Sequence, residues 1–540
     1  MYRQNKVDED NFVHLYDTTL RDGSQKKGIS FSLDDKVKIA RLLDRLGVSY
    51  IEGGWPGSNP KDMAFFERIK TAPLRHSKVV AFGSTRKAGV TCEEDANLKA
   101  LIDAETPAVT LVGKSSVMHV EKVLRVSKEE NLSMISESIA FLKARGKEVV
   151  FDAEHFFDGY VLDKEYSLAC LSAAADAGCD FLVLCDTNGG SMPDTIASVV
   201  AEVNNMFPGK VGIHAHNDAE LAVANSLAAV LAGARQIQGT INGYGERCGN
   251  ANLISLAPSL HFKLGYKCLP EESFKELTKI SRSVSEISNL SPDPYAPYVG
   301  SAAFAHKAGL HASAVARLAE SYEHIKPETV GNEREILVSE LAGRGNLRLI
   351  AAQLKLEGVP GGEGALLKRV KEFEEKGYKF EDAPGSVELM MRRLAPEYNE
   401  PFKLVDMMVT VSDRRASGFS AEAVVKVDVS GALYHTVSEG QGPVHALDCA
   451  LRKALVPSYP EIEKIRLSDY KVRILDPDKA TGATTRVVVE AACEDQRWST
   501  VGCSDNIIEA SCQALLESFE LYLLRNRIEA LSKQPQEVVA

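Results

Sequence analysis

Two histidines separated by one residue, His214 and His216, are the side chains of this sequence best suited to bind a metal ion. Successive residues of a β-strand point to opposite faces, so an H-x-H pair on a strand places both imidazoles on one face. Two imidazoles and a carboxylate suit a divalent cation. Asp22 is the candidate carboxylate, and Asn250 offers an amide oxygen as a fourth ligand. The pattern predicts a metal site; a hydrogen-bonded pair of core histidines is the alternative.

Three further polar residues have types that suit catalysis or substrate binding. Arg21 adjoins Asp22, and a guanidinium can bind a carboxylate or stabilise a developing oxyanion, although a surface ion pair is the alternative. Glu154 supplies a carboxylate at the end of a predicted strand. Thr187 follows the next strand, where its hydroxyl could donate to a substrate carboxylate or cap the following helix.

The elements that must position these residues repeat one pattern, a short β-branched run followed by an amphipathic stretch. The predicted strands are Phe12–Asp17, Tyr50–Gly54, Lys78–Gly83, Ala108–Gly113, Glu148–Glu154, Phe181–Asp186, Val211–His216 and Gln236–Asn242. Helical spacing follows at Leu33–Leu46, Pro60–Lys70, Met134–Ala144, Tyr166–Ala177, Pro193–Met206 and Ala219–Leu231. Eight such units predict an α/β fold, a closed (β/α)₈ TIM barrel. An open doubly wound sheet is disfavoured because the first turn, DTTLRDG, lacks G-x-G-x-x-G.

In a barrel of this kind the catalytic groups gather at the carboxyl ends of the strands. All seven candidates named above fall at or just after such ends, in units 1, 5, 6, 7 and 8 of the repeat. We therefore expect them to share one rim of the barrel.

The remainder of the chain divides into two further regions. Residues 281–400 carry helical patterns such as Ile336–Leu341 and Leu366–Lys376, which predict a small helical linker after a barrel of residues 1–280. Residues 401–540 predict an α+β domain with an internal duplication, because Thr436–Leu455 aligns with Thr500–Phe519 as a strand, a turn and a helix. Chance similarity between amphipathic helices is the alternative.

Composition excludes several classes of protein. The 540 residues carry a formal net charge of −12, opposite to that of a general binder of nucleic acid or anionic membranes. No apolar run approaches the roughly 18 residues that span a bilayer. Ten scattered cysteines include no C-x-x-C pair. We therefore expect a cytoplasmic protein that binds neither nucleic acid nor a membrane.

Four motifs resemble the signatures of one enzyme family, the 2-isopropylmalate, homocitrate and citramalate synthases. They are LYDTTLRDGSQ (Leu15–Gln25), IHAHND (Ile213–Asp218), NGYGERCGNANL (Asn242–Leu253) and HKAGLHASA (His306–Ala314). The C-terminal 140 residues resemble the regulatory domain of this family. Two segments, Ile51–Asp62 and Val501–Ser511, look most like the citramalate branch.

The resemblance implies a metal-dependent condensation of acetyl-CoA with a 2-oxo acid, followed by thioester hydrolysis. By resemblance, Mn²⁺, Mg²⁺ or Zn²⁺ is held by Asp22, His214, His216 and Asn250. Arg21 then stabilises oxyanions, Thr187 binds the oxo-acid carboxylate, and Glu154 matches the family's catalytic acidic residue. His311 and Tyr322 match residues that a partner subunit supplies, which implies a homodimer or a larger homo-oligomer.

The citramalate branch implies pyruvate as the oxo acid, isoleucine as the effector of the regulatory domain, and a threonine-independent route to isoleucine. The first alternative is a 2-isopropylmalate synthase that uses 2-oxoisovalerate in leucine biosynthesis. More distant alternatives are a hydroxymethylglutaryl-CoA-type lyase and a non-catalytic amino-acid sensor. Trp55 is a candidate for narrowing the oxo-acid pocket, and Asp152 stands where some relatives carry an aromatic residue.

Overall fold

The computed structural model describes residues 11–531, except 73, 308–310, 312–313, 316, 337–346, 348–350, 352–361, 415–417 and 495. It divides into two compact units. The first comprises the chain up to Phe304 together with Ile325–Glu333. The second comprises Ala305–His324 together with the chain from Arg334 onward.

The first unit contains a closed barrel of eight parallel strands in chain order, which confirms the predicted fold. The strands are β1 (His14–Asp17), β2 (Tyr50–Gly54), β3 (Lys78–Ser84), β4 (Ala108–Lys114), β5 (Glu148–Glu154), β6 (Phe181–Asp186), β7 (Val211–Ala215) and β8 (Gln236–Gly239). The barrel closes where β1 pairs with β8, with His14 opposite Gln236. The prediction extended β8 too far, because Asn242 adopts a φ of 60° inside a short 3₁₀ turn.

Helices follow the strands on the outside of the barrel, as in other TIM barrels. They are α1 (Leu33–Leu46), α2 (Pro60–Lys70), α3 (Ala96–Asp103), α4 (Lys128–Lys143), α5 (Phe156–Leu162), α6 (Lys164–Asp176), α7 (Pro193–Met206) and α8 (Ala222–Leu231). The sequence pattern missed α3 and α5. It also began α4 six residues late, because the Ser127 hydroxyl caps that helix by accepting from the Glu130 N–H.

Apolar and aromatic side chains pack inside the barrel below the rim that carries the candidate residues. Tyr16 and Tyr50 stack with ring centroids 5.6 Å apart, and both are buried. Val80, Val150 and Val183 pack in the same cluster. This apolar layer forms the floor beneath the polar side chains of the rim.

The region 281–400 is not uniformly helical in its described part. After α9 (Leu253–Pro258) and α10 (Leu277–Ile287), two short strands, β9 (Ala305–His306) and β10 (Glu335–Ile336), pair in parallel. Ile336 therefore ends a strand rather than beginning a helix, and the rest of the predicted helix, residues 337–341, lies outside the described residues. The predicted helix Leu366–Lys376 falls in α11 (Gly362–Glu375), and α12 (Pro384–Arg393) follows.

The C-terminal part of the second unit is a duplication, and each copy is larger than predicted. The first copy has strands β11 (Lys403–Arg414), β12 (Gly418–Val429) and β13 (Ala432–Gly440) and helix α13 (Pro443–Leu455). The second has β14 (Arg466–Ile474), β15 (Thr485–Cys493), β16 (Gln496–Ser504) and α14 (Ile507–Arg525). Each set of strands forms a three-stranded antiparallel sheet.

Matching hydrogen bonds show that the two copies are true repeats. The Thr436 hydroxyl donates to the Ala450 carbonyl over 2.8 Å, and the Thr500 hydroxyl donates to the Ala514 carbonyl over 2.7 Å. Chance similarity does not reproduce such a pair of contacts. None of the helices in the described part of the chain is both long and apolar enough to cross a bilayer.

Candidate functional site

The carboxyl ends of two barrel strands, β1 and β7, place Asp22, His214 and His216 in one buried cluster. Their exposed fractions are 4%, 5% and 6%. Asp22 Oδ2 lies 3.8 Å from His214 Nε2 and 3.9 Å from His216 Nε2, and the two Nε2 atoms are 3.2 Å apart. One donor atom from each residue lies within 4.8 Å of the others. Although His216 lies just past β7, its ring still reaches the same point as that of His214.

The pKa values of these three residues keep them in the protonation states that bind a cation. Burial lowers the pKa of His214 to about 3, and burial also lowers the pKa of His216. Burial alone would raise the pKa of Asp22, but the charge of Arg21 and the hydrogen bond from Asn250 hold that pKa well below its usual range. At neutral pH the cluster therefore offers two neutral imidazoles and one carboxylate, as a divalent cation requires.

Asn250 adjoins this cluster from the loop after β8. Its Nδ2 donates to Asp22 Oδ1 over 2.9 Å and lies 3.3 Å from the Tyr244 carbonyl. Its Oδ1 is buried and has no hydrogen-bond partner among the described residues. Buried acceptors are rarely left unpaired, so an oxygen in this state next to three donor atoms fits a fourth ligand position. The residues present therefore fit a divalent cation.

A hydrogen-bonded chain behind His214 fixes its tautomer. The Gln238 amide donates through Nε2 to Asp152 Oδ1 over 2.7 Å, which turns Gln238 Oε1 toward His214 Nδ1 at 2.8 Å. Because an amide oxygen only accepts, Nδ1 must carry the proton, and Nε2 keeps its lone pair for a metal. Sequence analysis missed Gln238, although its position one residue before the end of β8, paired with His214, could have indicated it.

Arg21 is held in a buried ion pair, not in the surface pair considered as the alternative. Its Nε donates to Glu52 Oε2 over 2.6 Å, and its Nη1 lies 3.2 Å from Asp22 Oδ2. The guanidinium carbon also lies 4.0 Å from the centre of the Phe82 ring. Glu52 is fully buried and accepts from the Tyr16 hydroxyl. Nothing in the sequence pattern marked Glu52 as the partner of Arg21.

Glu154 and Lys114 form a salt bridge at the ends of the neighbouring strands β5 and β4. Both side chains remain about a quarter exposed and line the same cavity as Arg21. Sequence analysis did not identify Lys114 as a residue of the site.

Thr187 faces the same cavity and does not cap the following helix. Its hydroxyl oxygen accepts from the His155 N–H over 2.8 Å. A hydroxyl has one hydrogen to donate, and this contact leaves that hydrogen for another acceptor. The position therefore suits the binding of a carboxylate.

These side chains line one cavity of about 610 Å³. Its lining includes Arg21, Asp22, Lys114, Glu154, Thr187 and His216. Trp55 and Phe82 form an aromatic wall, with ring centroids 5.3 Å apart, and Trp55 Nε1 donates to Asn97 Oδ1. Trp55 is therefore a wall residue of the pocket. Arg86 and Arg247 also line the cavity, where Arg86 is paired with Glu130 and Glu137 and Arg247 with Asp218.

The remaining two predicted residues, His311 and Tyr322, belong to the second unit. Their rings stack on each other with centroids 4.2 Å apart. Both side chains are exposed, so each is accessible to another molecule.

Three family models match this chain. The HMGL-like model matches residues 12–284, which include the whole barrel. The model described as "Homocitrate synthase post-HMGL domain-like" matches residues 298–377. The model described as "LeuA allosteric (dimerisation) domain" matches residues 383–523, which contain both copies of the duplication.

Curated relatives match over nearly the full length. An (R)-citramalate synthase of Geobacter sulfurreducens is 48% identical over 516 residues, which cover 95% of this chain and 98% of that protein. An (R)-citramalate synthase of Aquifex aeolicus is 49% identical over 523 residues, covering 96% and 99%. A probable 2-isopropylmalate synthase of Methanopyrus kandleri is 32% identical over 525 residues, covering 95% and 99%. The chain therefore belongs to the HMGL-like family and, within it, to the (R)-citramalate synthases.

Proposed function

We propose that this chain is an acyltransferase that condenses acetyl-CoA with pyruvate and releases (R)-citramalate and CoA. The observation that carries the proposal is the buried cluster of Asp22, His214 and His216 beside Arg21 in one cavity. The chain's relatives include (R)-citramalate synthases at 48% and 49% identity, and this favours citramalate over the 2-isopropylmalate alternative.

A divalent cation bound by Asp22, His214, His216 and Asn250 would act as a Lewis acid on the keto group of the 2-oxo acid. Mn²⁺, Mg²⁺ and Zn²⁺ are all compatible with this donor set. Because Gln238 Oε1 accepts a hydrogen bond from His214 Nδ1, the Nε2 atom of His214 keeps a lone pair that can bind the cation at neutral pH.

Arg21 and Thr187 are the groups that bind and orient the anionic substrate. Arg21 uses one N–H on Glu52 and one on Asp22, so three of its five donors remain for substrate oxygens. Because Glu52 and Phe82 hold the guanidinium in place, it stabilises a developing oxyanion without reorganising. Thr187 donates its hydroxyl hydrogen to the oxo-acid carboxylate.

Glu154 is the group that removes a methyl proton from acetyl-CoA, assisted by His311 of a second subunit. The carbanion that remains, stabilised as the thioester enolate, forms a carbon–carbon bond with the keto carbon of pyruvate. The electron pair of the keto group moves to its oxygen, which gains a proton and becomes the tertiary hydroxyl. Water then cleaves the thioester to a carboxylate and free CoA, and this makes the condensation irreversible.

Residues 281–400 supply His311 and Tyr322 to the site of a neighbouring subunit, so the active form is a homodimer or a larger homo-oligomer. Two observations support this part of the proposal. Both rings are exposed and stacked on each other, and residues 383–523 match a dimerisation domain. The second unit binds isoleucine as an effector, consistent with a place in isoleucine biosynthesis.

Release of free thiol from acetyl-CoA tests the reaction and its substrate together. The purified protein is assayed with pyruvate, 2-oxobutyrate, 2-oxoisovalerate and 2-oxoglutarate, with Mn²⁺ supplied. We expect the highest kcat/KM with pyruvate, because Trp55 and Phe82 close one wall of the pocket against larger side chains. A preference for 2-oxoisovalerate would assign the leucine pathway. No thiol release with any acid would favour the lyase or the amino-acid sensor, and cleavage of hydroxymethylglutaryl-CoA separates these two.

A further inference from the structure

Lys114 and Glu154 are placed opposite each other by the register of two neighbouring strands. Lys114 ends β4, Glu154 ends β5, and the two residues are direct partners in the parallel pairing. Ser115 donates its N–H and its hydroxyl to the Glu154 carbonyl over 3.2 Å and 2.8 Å. The Lys114 carbonyl accepts from the buried amide of Asn131 over 2.9 Å. Hydrogen bonds therefore fix the backbone of both residues at the rim.

The two side chains form an ion pair that a ligand in the cavity can reach. The Lys114 ammonium group donates to a carboxylate oxygen of Glu154. Both residues line the cavity, and their side chains are 23% and 26% exposed. Burial lowers the pKa of the neighbouring His119, so that ring is neutral at neutral pH and adds no second positive charge beside the pair. The ammonium group is thus paired with one carboxylate and accessible to a substrate.

Arg21, another cation of the same cavity, has partners of a different kind. It pairs with Glu52 and Asp22. Neither of these carboxylates takes up a proton in the proposed reaction, so the charge of Arg21 stays compensated throughout. Glu154 is instead the group that takes the methyl proton of acetyl-CoA. Lys114 is therefore a cation whose carboxylate partner loses its charge during the reaction.

We propose that Lys114 is a catalytic residue that stabilises the enolate oxygen of acetyl-CoA, and this role rests on the reaction proposed above. When Glu154 takes the methyl proton, the electron pair of the C–H bond forms the carbon–carbon double bond of the enolate. The π pair of the thioester carbonyl moves to its oxygen. The negative charge thus passes from the carboxylate to the enolate oxygen, and the ammonium group keeps its own proton. Lys114 then donates to that oxygen, which is two bonds from the methyl carbon.

This transfer of the ammonium contact favours the transition state over the bound substrate. Before proton removal the charge of Lys114 is satisfied by Glu154, so it adds little to the binding of an uncharged thioester. As the proton moves, the enolate oxygen replaces the carboxylate as the partner of the ammonium group, and only an interaction that strengthens in this way accelerates the reaction. A thioester methyl group is a very weak acid, so a carboxylate base needs this stabilisation of the product of proton transfer. The contact ends when the enolate attacks the keto carbon, because the thioester carbonyl then re-forms.

Replacing Lys114 by methionine tests the effect on turnover. Lys114→Met removes the ammonium group and keeps most of the length of the side chain. We expect kcat for thiol release to fall about 100-fold, while Kd for pyruvate stays within about threefold of the wild-type value. The matched control is Lys143→Met, because Lys143 pairs with Asp180 at a similar exposure, 30% and 35%, at the end of α4 that leads into the amino end of β5. Wild-type kcat in Lys114→Met would overturn the role of Lys114.

Binding of a stable enolate analogue separates this role from a structural one. Carboxymethyl-CoA carries a carboxylate in place of the enolate, and calorimetric titration of the full-length protein gives its Kd. Glu154→Gln imitates the uncharged state after proton transfer and frees Lys114, so we expect this variant to bind carboxymethyl-CoA about tenfold more tightly than the wild type. The double variant Glu154→Gln, Lys114→Met should lose that gain, and the affinity for acetyl-CoA should change little in either variant.

Two results of the titration would overturn the role of Lys114. One is no gain in affinity for carboxymethyl-CoA in Glu154→Gln, because a freed ammonium group must attract the added charge. The other is a gain that persists in the double variant, because it would then come from the loss of the Glu154 charge alone. The proposed reaction itself fails by a different result, the absence of thiol release by the wild type with every oxo acid, and the role of Lys114 fails with it.

Discussion

Arg21 Nε lies 2.6 Å from Glu52 Oε2, and this contact fixes the only guanidinium of the described residues that also touches Asp22. Burial raises the pKa of Glu52 even though the charge of Arg21 opposes the shift. Arg21 and Glu52 therefore each stabilise the charged form of the other in the barrel interior. Removing one partner of such a pair leaves a buried charge without compensation.

Glu52→Gln should lower both activity and stability. The amide keeps one hydrogen bond to Arg21 but removes the opposing charge, so we expect kcat to fall at least tenfold and stability to fall by about 3 kcal/mol. Thiol release and chemical denaturation measure the two effects. Glu67→Gln is the control, because Glu67 pairs with Lys70 at the surface, where a pair contributes less than about 1 kcal/mol. Equal effects of the two substitutions would contradict this role of Glu52.

Glu154→Gln should lower kcat at least 100-fold and leave pyruvate binding intact. The amide is nearly isosteric but cannot accept a proton, so the loss falls on proton transfer rather than on binding. Thiol release gives kcat, and calorimetric titration with pyruvate gives Kd. Glu165→Gln, at an exposed position in α6, is the control. Wild-type turnover in Glu154→Gln would remove Glu154 from the mechanism.

The barrel was predictable from the sequence because strand and helix periods are local properties. His214 and His216 were found for the same reason, since a period of two puts alternate residues on one face. Glu52, Lys114 and Gln238 were not found, because the partner of a charged or polar side chain is set by strand order and register. The first strand had to be placed beside the second before Arg21 could be paired with Glu52.

The C-terminal repeat was recognised but underestimated. The sequence match was visible only in the last strand and the helix of each copy, where small and apolar residues recur at helical spacing. The first two strands of each copy differ in their outward residues, because one sheet is covered by α11 and α12 and the other is not. Whether a sheet face is covered cannot be read from local sequence. The first two strands of each copy were therefore not recognised as part of the repeat.

Gln238→Leu should weaken metal binding 10- to 100-fold, because the tautomer and orientation of His214 are no longer fixed. Titration of metal-free protein with Mn²⁺ measures the affinity without reference to activity. Gln236→Leu is the control, since Gln236 lies on the same strand and its buried amide makes no hydrogen bond to the described residues. If both variants bind Mn²⁺ as the wild type does, Gln238 does not position the ligand.

Asp152→Asn should change the pH dependence of stability in metal-free protein. Burial raises the pKa of Asp152 to about 8, with the charge of Glu52 adding to the shift. Between about pH 4 and pH 8 the folded state keeps a proton that the unfolded state has lost, so stability falls by up to about 1.4 kcal/mol per pH unit as pH rises. Asparagine cannot ionise and removes this contribution. Denaturation in EDTA should therefore show that the free energy of unfolding of Asp152→Asn, relative to that of the wild type, increases from pH 5 to pH 8. Parallel pH profiles of the two proteins would contradict the raised pKa.

Isoleucine should inhibit thiol release and stabilise the second unit. A ligand that binds the folded state at 100 times its Kd adds about 2.7 kcal/mol of stability, so a rise in Tm of several degrees is expected at saturation. Inhibition also requires that isoleucine bind the less active state more tightly, because a ligand with equal affinity for both states shifts nothing. Leucine at the same concentration is the control, and it should have a smaller effect on both measurements. A rise in Tm without inhibition would show a binding site that is not coupled to the barrel, whereas a stronger response to leucine would assign the effector of the 2-isopropylmalate alternative. If neither amino acid changes activity or Tm, the duplicated domain serves assembly rather than regulation.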